Sequence, residues 1–238
     1  MRSFGVTNIG RYRLKNDDSF FCSDGRRSLY IVADGMGGYQ GGETASKIAV
    51  STAVELLRHA ETLDKEMAKK LTLEIQKRMR EAIDRNENLK DMGTTFVCAL
   101  IVDGIVYLMH IGDSRAYLVR GGILYQMTED HTLVNILYRN GVIDKEQARV
   151  HPKRNVLVKA LSAYEKVEGD LKEFEMGKED TLLLCTDGLT DQLTNGEILD
   201  ILLLDESSDV IASKLVDTAL KSGARDNIAV VVVKGSHD

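Results

Sequence analysis

Residues 95–119 read TFVCALIVDGIVYLMHIGDSRAYLV. They hold three apolar runs, Thr95–Val102, Ile105–Ile111 and Ala116–Val119, and only Asp103-Gly104 separates the first from the second. Asp-Gly between apolar runs is a two-residue hairpin signal, because that turn needs positive φ at both central positions. Strands joined so tightly must pair antiparallel. Gly121-Gly122 predicts another hairpin just past the third run. Working outward, apolar runs predict strands at Ser19–Ser23, Ser28–Ala33 (SLYIVA), Thr181–Cys185 (TLLLC) and Ile228–Val233 (IAVVVV).

Helical periodicity fills the gaps. Glu43–Arg58 carries a stripe of Ala45, Ile48, Ala49, Thr52, Ala53, Leu56 and Leu57. Leu63–Asn86 places Leu63, Met67, Leu71, Ile75, Met79 and Ile83 at steps of four, with its methionines read as core filler. Gly196–Leu203 and Ser208–Lys221 predict two more helices. The order of strands and helices reads as an α+β fold, with helices outside stacked antiparallel sheets. Thr132–Val156 breaks the β pattern, is polar and contains the single proline, Pro152. It is either a surface helix-loop insertion or a mobile flap near a site, and composition does not choose.

The chain has 238 residues, 43% of them hydrophobic and 29% charged, which excludes a disordered chain. With one proline and no Pro- or Gly/Ser-rich linker, a single domain over residues 1–238 is expected. Lys plus Arg total 31 and Asp plus Glu 37, a net charge of −6, and no basic block stands out. That argues against a nucleic-acid partner. No apolar run approaches the ~20 residues of a membrane span, and the start MRSFGVTNIGRYR has no signal-peptide core. A cytoplasmic protein without membrane attachment is expected. Cys22, Cys98 and Cys185 are far apart and odd in number, so they read as reduced core residues rather than a zinc or disulfide framework.

The chemistry concentrates in aspartates at strand ends. LYIVADG ends a strand at Asp34-Gly35, YLMHIGDSR at Asp113 and TLLLCTDG at Asp187-Gly188, while ARDNIAVVVV begins one after Asp226. Asp17-Asp18 precedes the strand Ser19–Ser23. A lone Asp-Gly is an ordinary turn, but several attached to strongly apolar strands have ends that the core can bring together. Converging carboxylates either rise in pKa or bind a cation. An all-oxygen donor set selects hard cations such as Mg²⁺, Mn²⁺ or Ca²⁺. The D-x-D-x-D-G pattern of a Ca²⁺ loop is absent, whereas two Mg²⁺ or Mn²⁺ ions suit phosphoryl hydrolysis. Arg13, just before the acidic pair in RLKNDD, is either a surface loop residue or a guanidinium grip for phosphate. GMGGYQGGE lacks the lysine of a nucleotide loop and reads instead as a place where a backbone carbonyl approaches a metal. His110 and His131 read as structural hydrogen-bonding residues.

In order, RLKNDD, VADGMGG, GTT, HIGDSRAYL, MTEDHT, LLLCTDGLTD and DNIAVVVV resemble the metal-dependent protein phosphatases, the protein phosphatase 2C family in its short bacterial form. The resemblance runs from Arg13 to Val233. It implies a four-layer αββα sandwich, two antiparallel β-sheets flanked by helices, with residues 132–156 as a small flap. It implies two Mn²⁺ or Mg²⁺ ions and a third, weaker one. Asp34 would bridge the pair, Gly35 would offer its carbonyl, and Asp187 and Asp226 would complete the first ion's ligands. Asp113 with Asp187 would hold the third. Asp18 would orient metal-bound water with Asp17 in support, and Arg13 would bind the substrate phosphate.

The implied activity is hydrolysis of phosphoserine and phosphothreonine in proteins by a metal-bridging hydroxide. The implied partners are phosphorylated proteins and a Ser/Thr protein kinase, with a monomer as the default state. A catalytically weak phosphoprotein-binding module on the same fold is the alternative; a two-metal nuclease or nucleotide hydrolase is a third reading, without a basic groove or an aromatic cluster to support it. The chain departs from the family pattern at Asp17, where Glu is common, and at Ala224-Arg225, where Gly is common. It also has Met36 where animal members carry a histidine. Methionine donates no proton, so no general acid is named.

Overall fold

The Asp103-Gly104 turn forms as its residues require, with φ 49° at Asp103 and 85° at Gly104 and Val102 opposite Ile105. The computed structural model describes residues 1–38 and 40–235. Strands β1 (Arg2–Asn8), β2 (Asp18–Ser23) and β3 (Arg27–Met36) come first, then helices α1 (Gly41–Leu57) and α2 (Lys65–Arg85). The central run is β4 (Gly93–Thr94), β5 (Phe96–Val102), β6 (Ile105–Ile111), β7 (Arg115–Arg120) and β8 (Ile123–Gln126). Short helices α3 (Leu133–Arg139) and α4 (Lys145–Val150) follow, then β9 (Leu161–Ser162), β10 (Asp170–Glu175) and β11 (Thr181–Cys185). Helices α5 (Asp187–Thr190), α6 (Asn195–Leu202) and α7 (Ser208–Lys221) lead to β12 (Ile228–Lys234).

All ladders are antiparallel. A five-stranded sheet runs β1-β12-β11-β7-β8; a seven-stranded sheet runs β10-β6-β5-β3-β4-β9, with β2 paired to β3. Alternation along the strands builds the layers. Tyr30 and Val32 of β3 join Val231 and Val233 of β12 in a core between the sheets. Their neighbours Leu29, Ile31 and Ala33 pack under α1 and α2, against Ala49, Leu71, Ile75 and Met79. Val230 and Val232 pack under α6 and α7, against Ile198, Ile211 and Leu215. Both faces of each central strand are covered, which is why these strands read as unbroken apolar runs. The architecture is the expected four-layer sandwich.

The sequence missed several elements. Strands β1, β8 and β10 are half-exposed edge pieces such as DLKEFE, whose charges mask the alternation. Asp34-Gly35 does not end its strand: β3 continues to Met36 and pairs with Thr94 and Gly93 of β4. Asp187-Gly188 is not a turn either, but the first turn of α5. Residues 132–157 form a surface excursion carrying α3 and α4, closed at its base by a bridge from Thr132 to Leu157. Cys98 and Cys185 are buried and free, whereas Cys22 on β2 is only half-buried, a correction to the expectation of three core cysteines.

Antiparallel register gathers the acidic strand ends. Asp18, opening β2, stands directly opposite Asp34 near the end of β3. In the other sheet Cys185, ending β11, lies between Arg115, opening β7, and Val230 near the start of β12. Asp113, Asp187 and Asp226 flank those three positions, so both sheets deliver their aspartates to one edge of the sandwich.

Ile75 is fully buried between α2 and the sheet. Ile75→Ala should destabilise the fold by about 2–5 kcal/mol in urea unfolding, and Lys77→Ala on the exposed face by about 0.5 kcal/mol or less.

Candidate metal centre

Neighbouring groups hold Asp34, Asp18 and Asp226 in place. The Asp34 backbone is clamped on both sides: its N–H donates to Thr95 Oγ1 at 2.9 Å, and its carbonyl accepts from Thr94 Oγ1 and the Thr95 N–H, both at 2.8 Å. Asp18 Oδ2 accepts from Thr186 Oγ1 at 2.8 Å, a bond that crosses between the sheets. Asp226 Oδ1 accepts from the Asn227 N–H at 2.8 Å, and its Oδ2 from Arg13 Nη2 at 2.6 Å. Arg13 thereby stands over the cluster with its side chain 55% exposed. Asn227 fastens the RLKNDD loop to the start of β12. Its Nδ2 donates to the Ile9 and Lys15 carbonyls, and its Oδ1 accepts from the Asp17 N–H.

Asp17 turns towards α1, where its Oδ1 accepts from the Glu43 N–H at 3.1 Å. A carboxylate there satisfies an orphan amide of the helix N-terminus. Gly35 and Gly42 make the approach possible: a Cβ on Gly35 would meet the Gly42 carbonyl oxygen at 2.1 Å, and one on Gly42 would meet the Gly35 oxygen at 2.7 Å. The glycine-rich stretch thus serves a close strand-helix contact as well as freeing the Gly35 carbonyl of side-chain cover.

Electrostatically the ionised cluster is costly unless protons or a cation neutralise it. Burial raises the carboxyl of Asp34 well above its ordinary range, reinforced by Asp18, Asp187, Asp113 and Asp226. Burial also lifts Asp18, only partly offset by Thr186. Asp113 is pushed up to about 8, by burial and then Asp187. Asp187 is pushed up to about 6, by burial and then Asp191. Asp18 Oδ1 and Asp187 Oδ1 are buried with no hydrogen-bond partner. Buried, mutually repelling carboxylates with orphan oxygens fit a hard divalent cation and little else. Arg13, Asp18, Asp34, Gly35, Asp113, Asp187 and Asp226 are brought together; Asp17 stands behind them.

Sequence reasoning missed the residues that hold these groups. Thr95, Thr186 and Asn227 lie inside the motifs GTT, LLLCTDGLTD and DNIAVVVV, but a hydroxyl or an amide there does not say which aspartate it holds. Asp191 was legible in LLLCTDGLTD, four residues after Asp187, where it follows the last residue of α5. Its Oδ2 accepts from Asn155 Nδ2 of the excursion at 3.3 Å.

Among the described residues, the one group of three potential ligands whose donor atoms lie within 4.8 Å of each other is elsewhere: His110, His131 and Asp170. Its hydrogen bonds oppose metal binding. The His131 Nδ1 accepts from the Gly112 N–H at 3.0 Å, so in neutral His131 the proton sits on Nε2, 3.3 Å from Asp170 Oδ2. The ring also stacks on His110 at 4.4 Å, and His110 Nε2 contacts the Gly112 carbonyl at 2.8 Å. Both histidines hold Gly112, as hydrogen-bonding structural residues do.

The metal-free protein should lose stability as pH rises from 7 to 8.5, read as a falling Tm. Asp113, pushed up to about 8, keeps a proton in the fold that the unfolded chain has already released, and burial raises Asp18 and Asp34 in the same direction, so unfolding releases protons and higher pH favours it. Below pH 6.5 the depressed pKa values of His110, about 4, and of His131 act in the opposite sense. Mn²⁺ should raise Tm more at pH 8 than at pH 6.5, because cations and protons compete for the same oxygens.

Comparison with known proteins matches residues 5–222 to the family model described as protein phosphatase 2C. The chain is 37% identical over 235 residues to the serine/threonine phosphatase stp of Listeria welshimeri, covering 96% of this chain and 93% of that protein. The crystal structure of the Mycobacterium tuberculosis serine/threonine phosphatase PstP/Ppp superposes with a TM-score of 0.89 at 34% identity, covering 99% of both chains. The catalytic domain of PstP in complex with two manganese ions superposes at 0.87 with 32% identity, covering 97% of this chain and 96% of that one.

Proposed function

The chain belongs to the protein phosphatase 2C family, and on that premise we propose that it is a metal-dependent phosphatase of phosphoserine and phosphothreonine in proteins. The observation that carries this reading is the cluster of raised, partly orphaned carboxyls at one edge of the sandwich. Asp34, the Gly35 carbonyl, Asp187 and Asp226 would hold two Mn²⁺ or Mg²⁺ ions; Asp113 with Asp187 would hold a third, weaker one. Bound there, the ions supply charge that neutralises the phosphoryl oxygens and a water acidic enough to ionise near neutral pH.

The chain's own residues divide the remaining work. Arg13 binds the phosphate, exchanging its Asp226 partner for two phosphoryl oxygens. Asp18, immobilised by Thr186, presents Oδ1 as an acceptor that orients the attacking water. Asp17 supports from behind by fixing the first turn of α1. His110 and His131 stay neutral near pH 7 and engaged with Gly112, so neither serves as the acid for the leaving group.

The reading extends to one catalytic domain over residues 1–238 with residues 132–156 as a flap over the substrate. It also extends to a monomer acting in the cytoplasm on proteins that a Ser/Thr protein kinase has phosphorylated. No helix among the described residues is long and apolar enough to cross a membrane.

Hydrolysis of para-nitrophenyl phosphate and of a phosphothreonine peptide, with Mn²⁺ and with EDTA, tests the reading. Turnover should require the metal. Asp34→Asn and Asp187→Asn should keep their circular dichroism spectra and lose more activity than the roughly 10–100-fold that removal of an outer-shell partner costs. Arg13→Ala should raise KM about tenfold with a smaller change in kcat, as loss of a phosphate contact does. A folded protein that binds the phosphopeptide without turning it over in any metal would make it a binding module instead.

A further inference from the structure

Beneath the aspartates lie three hydroxyl side chains that the mechanism above does not use: Thr94, Thr95 and Ser114, each at most 1% exposed. Thr95 Oγ1 accepts from the Asp34 N–H and lies 2.6 Å from Ser114 Oγ. Ser114 follows Asp113 directly. One hydroxyl therefore touches the backbone of Asp34 in β3 and the residue next to Asp113 in the β6–β7 loop.

The packing around it admits no slack. Gly112 has φ 104°, and a Cβ there would sit 2.7 Å from Thr95 Cβ and Cγ2, so the loop that carries Asp113 is pressed against the Thr95 side chain. The same loop is pinned from its other side by the two histidines on Gly112. On the strand side, Thr94 Oγ1 and the Thr95 N–H fix the Asp34 carbonyl. The Asp34 and Asp113 carboxyls repel each other; an untied loop would relieve the repulsion by moving away.

We propose that Thr95 and Ser114 are positioning residues, a buried hydroxyl tie that holds Asp113 at a set distance from Asp34 and so couples cation binding at the two aspartates. The tie costs little to keep in water-free surroundings, where a paired hydroxyl is favoured and an unpaired amide is not. It acts through Asp34 and Asp113 and touches neither substrate nor cation. The inference rests on the reading that the cluster holds divalent cations.

Calorimetric titration of the full, EDTA-stripped chain with Mn²⁺ tests it, with the metal-free Tm measured alongside. Thr95→Val keeps the shape and removes the hydroxyl; Thr95→Ser keeps the hydroxyl. Thr95→Val should weaken Mn²⁺ binding about tenfold or more, Thr95→Ser less than about threefold, and Ser114→Ala by an amount between them. In an Asp113→Asn background the loss from Thr95→Val should shrink, which a double-mutant cycle reads directly. At saturating Mn²⁺, Thr95→Val should lower kcat for para-nitrophenyl phosphate and leave KM unchanged. Equal Mn²⁺ binding by wild type and Thr95→Val overturns the tie, as does Thr95→Ser binding as poorly as Thr95→Val, or an undiminished loss in the Asp113→Asn background. If Thr95→Val fails to fold, Thr95→Ser and Ser114→Ala decide: the tie predicts near-normal binding in the first and weakened binding in the second, and the reverse order overturns it. A wild-type chain that binds no Mn²⁺ overturns the cation reading itself.

Discussion

Carboxylates brought together below a protein surface repel one another and lose their hydration, and the frame around Asp18, Asp34, Asp113 and Asp187 exists under that constraint. Flexible loops would separate the charges. Here Asp34, Asp113 and Asp187 lie on, or within two residues of, strands buried on both faces, and Asp18 opens β2, which pairs with one of them. The side chains beside them are engaged in backbone and side-chain bonds, as with Thr95 on Asp34 and Thr186 on Asp18. The rigidity of two stacked sheets is what keeps like charges close, and a divalent cation is what makes their closeness favourable.

The same strands meet two demands at once. Their interior residues alternate between the inter-sheet core and the helical layers, as Tyr30 and Val32 alternate with Leu29, Ile31 and Ala33. Antiparallel pairing sets the end of one strand beside the start of the next. Asp18 faces Asp34 for that reason, and the ends of β11, β7 and β12 coincide for the same reason. The acidic site is a consequence of register, and a slip by one residue in β2 would turn Asp18 to the other face of the sheet.

Arg13 belongs to the same balance. Its guanidinium pairs directly with the cluster, on Asp226, and it remains half exposed. A cation in that place neutralises a carboxylate while staying free to exchange partners, which suits a residue that must meet an incoming dianion. The glycines at 35 and 42 belong to it too. By letting α1 abut the end of β3, they bring the amide end of a long helix, and Asp17 with it, up against the acidic cluster.

The residue order alone determined the family, the hairpins at Asp103-Gly104 and Gly121-Gly122, the helices over residues 41–57, 65–85, 195–202 and 208–221 to within a few residues, and the identity of the acidic positions. Those are local or ordered signals: a turn that needs positive φ, a periodicity, a set of motifs in fixed succession. Tertiary structure alone decided that Asp34-Gly35 lies within a strand and Asp187-Gly188 within a helix: the first pairs with Thr94 of β4, and Gly188 lies so close to Asn227 that a Cβ there would meet the Asn227 carbonyl oxygen at 1.9 Å. It alone revealed the edge strands β1, β8 and β10, whose half-exposed residues carry little periodicity. And it alone showed which neutral residues hold the acidic ones. Thr95, Thr186 and Asn227 owe their importance to atoms from strands and loops far away in the chain, and a hydroxyl or an amide in a sequence carries no mark of the partner it will meet.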